Sequence, residues 1–153
     1  MQRIHLMRLF CCCALLALMG CTAPEEAFVS DVTAFDPDHT AIVKLKNREA
    51  AARGELKLFL RTNDRFREDS LTVRIGTFTP DSLHTEELHR LILPATRRIN
   101  ALKRVVEIPY RRAVELPHAG NYYFTITPTR PTEGVEAVGI LFRTEQTDHY
   151  GKR

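Results

Sequence analysis

A chain of 153 residues, 44% apolar and 27% charged, has the balance of one globular domain and is too apolar and too evenly charged for disorder. Its net charge of +3 owes most to the N-terminus: Arg3 and Arg8 precede every acid, and without them the 22 basic residues become 20 against 19 acidic ones. That balance excludes the strongly basic surface that a nucleic-acid partner demands.

In chain order, Met1 to Arg8 is a positively charged opening, and Leu9 to Gly20 is a run of about twelve apolar or small residues. A spanning helix needs about 20 such residues, so residues 1–20 are predicted to be a secretory signal peptide rather than a permanent membrane segment. The run ends in Leu18-Met19-Gly20-Cys21. This resembles the bacterial lipobox, an aliphatic residue, a variable one, a small one and a cysteine. The Cys21 thiol is the nucleophile there that can take a diacylglyceryl group, and Gly20 suits a small-residue cleavage pocket. Cys21 is therefore the expected lipid-attachment site, and a membrane the expected first partner. Two or three acyl chains anchor a protein durably where a single chain does not. No aspartate follows Cys21 directly, which points to the outer membrane, on its periplasmic or surface face. Residues 21–26 would be a polar, lipidated tether. The other cysteines, Cys11, Cys12 and Cys13, lie inside the apolar run and none follows Cys21. The domain beyond must stand without disulfides.

From there the hydrophobic period is two. Ala27 to Phe35 reads as a first strand, Asp36 to His39 as a loop, and Ala41 to Lys46 as a second strand. Arg48 to Arg53 is helix-like but too short to persist as more than one turn. Leu56, Leu58 and Leu60 alternate with Lys57, Phe59 and Arg61; Leu71, Val73 and Ile75 do the same before a turn at Pro80-Asp81-Ser82. Between Ser82 and Leu93 the period changes midway, and strand is favoured over helix. Ala95 to Lys103 reads as an exposed basic loop. Val105 to Ile108 and Ala113 to Leu116 are two short strands or one strand bent at Pro109. Tyr122 to Thr127 has the composition of a strong strand, and Val135 to Phe142 is the last. About eight strands without long helices predict an all-β domain over residues 27–145, an antiparallel β-sandwich, followed by a polar tail at 146–153.

Chemistry is sparsely signalled. His84 and His89 are five apart, which places them on opposite sides of a strand, and no short-spaced ligand set favours zinc. Asp36, Asp38 and Asp64 lack the patterned loop of a calcium hand and read as turn residues. Ser30, Ser70 and Ser82 stand in no nucleophile elbow, and Glu86 and Glu87 point to opposite faces. No catalytic residue, metal site or cofactor is expected, and the chain is not expected to be an enzyme. Arg97, Arg98, Lys103, Arg104, Arg111 and Arg112 cluster in one third of the chain. They suit a solvated loop and a charged sheet edge better than a lipid or partner contact.

Leu60-Arg61-Thr62-Asn63-Asp64 after an alternating strand, Leu71-Thr72-Val73, the Gly120-x-Tyr122-x-Phe124 strand and the final Val138-Gly139-Ile140 strand together resemble the GldH family of gliding-motility lipoproteins of Bacteroidetes. Ala95 to Lys103 differs from that family in having no tryptophan. The resemblance implies a non-enzymatic lipoprotein of the cell envelope that supports the gliding machinery and its associated secretion, with other envelope or motility proteins as partners. Of the family's functional residues it carries over Cys21. The alternative is a ligand- or carbohydrate-binding β-sandwich lipoprotein, with Tyr110, Tyr122, Tyr123 and Phe124 as candidate contacts if they gather on one exposed face.

Overall fold

Strict alternation of apolar and polar residues drives one side of each strand into a shared interior, and the observed architecture follows from it. The structure, a computed structural model, describes residues 25–93 and 103–145. They form β1 (Glu25–Asp31), β2 (Ala41–Asn47), β3 (Ala52–Asn63), β4 (Ser70–Phe78), β5 (His84–Ile92), β6 (Lys103–Leu116), β7 (Gly120–Pro128) and β8 (Val135–Thr144). Two four-stranded antiparallel sheets face each other: sheet A in the order β1-β8-β3-β6, sheet B in the order β2-β7-β4-β5. The expected β-sandwich is thus what the chain forms. Among the eight strands, only β4 and β5 are joined as a hairpin within one sheet; every other connection crosses to the opposite sheet.

The core lies between the sheets. Leu56, Leu58 and Leu60 of β3 and Val138, Ile140 and Phe142 of β8 meet Val43 and Leu45 of β2, Leu71, Val73 and Ile75 of β4, and Tyr122, Phe124 and Ile126 of β7. Asn47 is buried at one end, where its amide donates to the carbonyls of Glu49 and His118, at 2.7 and 2.8 Å. A buried amide needs such partners to avoid a large desolvation cost.

Several expectations need correcting. The helix-like Arg48 to Arg53 holds no helical turn: Ala51 takes a left-handed conformation at φ 57, and Arg53 already pairs with Glu115 in β3. Local helical spacing lost to the gain from a twelve-residue strand in the middle of a sheet. Strand β1 starts at Glu25, inside the expected tether, and stops at Asp31, short of Phe35. Of the two readings offered around Pro109, the single strand is the one formed: β6, whose pairing with β3 shifts register twice near Leu56. Proline is tolerated there because β6 is a sheet edge. The mixed period of 82–93 is also explained. Leu91 faces the core while Leu88 and Ile92 face out, so β5 is apolar on both sides. The signal peptide, Cys21, the basic loop up to residue 102 and the polar tail from 146 lie outside the described residues.

Candidate functional site

The outer side of sheet B gathers the most promising surface. Along β4, even-numbered residues point away from the core, ending in Phe78, and the register carries that position across every strand of the sheet. Lys44 of β2 stands opposite Tyr123 of β7, Tyr123 opposite Phe78 of β4, and Phe78 opposite His84 of β5. The Phe78 and His84 rings stack with centroids 4.1 Å apart and planes at 15°. The Lys44 ammonium lies 5.9 Å from the centre of the Tyr123 ring, within reach of a cation–π attraction. Phe78 is 40% exposed and Tyr123 39%. A row of half-exposed rings thus crosses the sheet.

Polar groups flank it. In the next row, Ile42, Thr125, Gly76 and Glu86 align across the same four strands. Gly76 adds no side chain, and the Thr125 hydroxyl occupies the space above it beside the rings. Glu86 pairs with Arg74 at 3.2 Å, so a carboxylate and a guanidinium are held together next to the aromatic row. Such a surface can take a flat, partly apolar molecule on its rings and hydrogen-bond its hydroxyls alongside.

The four aromatic candidates named from the sequence separate. Tyr122 and Phe124 are core residues, 2% and 1% exposed. Tyr122 donates its hydroxyl to the carbonyl of His118 at 3.1 Å, satisfying its buried oxygen. Tyr123 alone reaches the outer side of sheet B, and Tyr110 sits on the edge strand of sheet A. Phe78 and His84 were not among the candidates. The signal was present: both flank the Pro80-Asp81-Ser82 turn, and Phe78 falls on the solvent side of the alternation set by Leu71, Val73 and Ile75.

A second feature lies where β5 and β6 border the open edge between the sheets. Glu87 of β5 points inward and accepts hydrogen bonds from the Tyr110 hydroxyl and from Arg111, whose Nη2 lies 2.8 Å from both carboxylate oxygens. Burial by itself would raise the Glu87 pKa, but these two donors outweigh it and hold the carboxyl below its ordinary value. Burial and the bond to Glu87 push the Tyr110 phenol up to about 12. His89 meets the Tyr110 ring edge-on at 5.3 Å. Beside this bridge is a cavity of about 190 Å³ lined by Thr77, Thr79, Thr85, Tyr110, Leu116 and Tyr122 among others. It has room for one small ring, and threonine and tyrosine hydroxyls are among its lining.

The other titratable candidates are held in local pairs, apart from His84, which joins the aromatic row, and Glu86, which flanks it. His84 and His89 do lie on opposite sides of β5, as their spacing required. Asp36 accepts from the Asp38 amide at 2.9 Å and meets His39 Nδ1 at 2.8 Å, which lowers the Asp36 pKa and raises that of His39. Glu86 and Glu87 diverge to opposite faces. Among the described residues, no group of three or more His, Cys, Asp or Glu could hold a metal ion, and no helix is long and apolar enough to cross a membrane.

No protein-family model matches the chain, and no curated protein does. Among solved structures it is similar to a carbohydrate-binding module specific for non-crystalline cellulose, at 11% identity over 83% of this chain and 76% of that one, with a TM-score of 0.44. It is also similar to a serine protease of Aeromonas sobria, at 10% identity over 86% of this chain and 29% of that one, with a TM-score of 0.35. A carbohydrate-binding module in complex with β-1,4-galactotriose matches at 10% identity over 79% and 86%, with a TM-score of 0.24. At such scores the likenesses carry no weight beyond themselves. The fold is read from this chain's own strand pairing.

Proposed function

We propose that this protein is a non-enzymatic binding module of the cell envelope, held to the outer membrane by lipid on Cys21, and that the outer side of sheet B takes a carbohydrate. The observation that carries this reading is the in-register row Lys44, Tyr123, Phe78 and His84, with the Arg74–Glu86 pair beside it. Sugar rings have apolar faces that stack on aromatic side chains and hydroxyls that bridge to paired charges. The stack with His84 also fixes the Phe78 ring in advance, so little ordering entropy opposes binding. The test is retention of the purified domain on a panel of immobilised polysaccharides. Tyr123→Ala and Phe78→Ala are each expected to weaken the best ligand about tenfold, or roughly 1.4 kcal/mol. Absence of any glycan ligand, or binding indifferent to both substitutions, rejects the reading.

A second reading keeps the envelope address and replaces the sugar with protein partners of the gliding and secretion machinery, as the GldH resemblance implies. What motivates it is the resemblance itself, whose segments fall on β3, β4, β7 and β8. Tyr122, Phe124, Val138 and Ile140 are all buried, so these residues speak for a shared fold and address more than for motility. Deleting the gene and scoring colony spreading and surface-protein secretion tests it; normal behaviour in both removes the motility role.

A further inference from the structure

The chain enters the sandwich at a particular end. Glu25 pairs with Arg143, and Glu26 makes an ion pair with Arg48 at 3.4 Å, so β1 begins beside the loop 48–51. Asn47 ties that loop to the turn 117–119 through the carbonyls of Glu49 and His118. His118 Nε2 in turn lies 3.4 Å from an Asp81 carboxylate oxygen, in the hairpin turn 79–83. The three connections form one end surface. Leu93 and Lys103, which border the basic segment 94–102, lie at the other end, about 30 Å away along strands of nine or ten residues.

Four Cα-to-Cα steps separate Cys21 from Glu25, a reach of at most about 14 Å. A lipid on Cys21 therefore holds this end, and no other, within touching distance of the headgroups. The end carries an apolar tip suited to that place. Leu83, at the close of the hairpin turn, is 62% exposed, with Phe78 and the exposed Pro80 beside it. An exposed leucine at a loop tip has no partner in the fold, and an interfacial bilayer layer is one that would bury it.

We infer that the end formed by residues 48–51, 79–83 and 117–119 rests on the bilayer, with Leu83 as its apolar contact. The inference rests on the proposed lipidation of Cys21. It stands the strands upright on the membrane, turns the aromatic row of sheet B sideways near the lipid surface, and sets the far strand ends, at Leu93 and Lys103, away from the bilayer that anchors it.

The chain contains no tryptophan, so a single one reports its own depth. Leu83→Trp and, as the far-end control, Ile92→Trp (Ile92 is 73% exposed) are expressed with the leader and reconstituted into phosphatidylethanolamine–phosphatidylglycerol vesicles containing brominated lipid. Contact ~5–10 Å into the headgroup region should blue-shift the Leu83→Trp emission and quench it about twofold, and leave Ile92→Trp unchanged. If both tryptophans in vesicle-bound, lipid-bearing protein behave alike, the docking inference is overturned while the anchor stands. If the mature chain carries no lipid mass and partitions like Cys21→Ser, the anchor reading falls and takes this inference with it.

Discussion

The two sheets treat their outer sides in opposite ways. On sheet A, charge covers the middle of the surface and leaves only Val29 and Val105, on the two edge strands, as exposed large apolar side chains: Arg61 reaches Asp31 at 2.7 Å, Lys57 meets Glu107 at 3.3 Å, and Arg53 meets Glu115 at 2.8 Å, each across strands. Ala137 and Leu141 sit outside the core cluster, yet both are buried. Lys57, directly across from Leu141, keeps only 14% of its side chain exposed, so its stem lies along the sheet as a lid. Sheet B instead leaves Ile42, Phe78, Leu88, Ile92 and Tyr123 open to solvent. A sandwich needs only its inner sides to fold. Where one outer side is covered along its middle by ion pairs and the other keeps rings exposed, the side with the rings is the better one for a partner.

The sharpest way to break that comparison uses two adjacent tyrosines. Tyr122→Ala empties a core site and should cost about 3–5 kcal/mol, read as a large fall in the urea midpoint. Tyr123→Ala, one residue on but facing out, should cost under about 1 kcal/mol of stability while weakening the ligand about tenfold. Equal losses of stability would mean that the exposed rings are structural and that the site has been misplaced.

A pair of glycines probes the same contrast at lower cost. In sheet A, a Cβ on Gly139 would come 2.3 Å from the Phe28 carbonyl oxygen, and backbone cannot turn aside. Gly139→Ala should therefore push β1 from β8 and cost about 1–3 kcal/mol. In sheet B, a Cβ on Gly76 would meet the Thr125 hydroxyl at 2.3 Å and His84 Nε2 at 3.4 Å, both side-chain atoms that can swing away. Gly76→Ala should cost less, but it should displace the Thr125 hydroxyl and the His84 ring that stacks on Phe78, weakening the ligand. Thermal unfolding and binding measured on both variants should rank them in opposite orders. Below these in size comes Asp31→Ala, which removes the exposed partner of Arg61 and should cost about 0.2–1 kcal/mol, an effect that should fade as salt is added.

How far the sequence foretold this divides along the same line. Inward residues were legible because burial enforces period two: Leu56, Leu58, Leu60, Leu71, Val73 and Ile75 all lie in the core. The two-sheet class followed from the number of such runs. Strand order did not, since β3 pairs with β8 and β6, partners that lie far along the chain and that no local pattern names. The face was half legible. Tyr123 was a candidate, but its link to Phe78 depends on the β4–β7 register, and that to His84 on a turn whose Ser82 adopts φ 67. Tyr110 was grouped with the other aromatics by residue type, and only the pairing of β6 at the sheet edge shows that it serves Glu87 instead.

The mildest test concerns the place where the two sheets meet. Tyr110 and Arg111 come from sheet A and Glu87 from sheet B, so their hydrogen bonds clamp the open edge. The Tyr110 phenol holds its proton more tightly in the fold than in the unfolded chain, where it titrates near 10.0. Its contribution is therefore complete below pH 10 and declines as pH rises toward about 12. Glu87 works in the other direction. Its folded pKa is depressed, so its contribution is present above the ordinary value of 4.5 and is lost as pH falls through the lower folded value. Tyr110→Phe should abolish the alkaline decline, remove one late-titrating phenol from the ultraviolet spectrum, and move the acid limb to higher pH because Glu87 loses a donor. Near neutrality the variant should differ little, since Arg111 still holds Glu87. A spectrum in which Tyr110→Phe removes no phenol titrating above pH 10 would mean that the edge is open in solution.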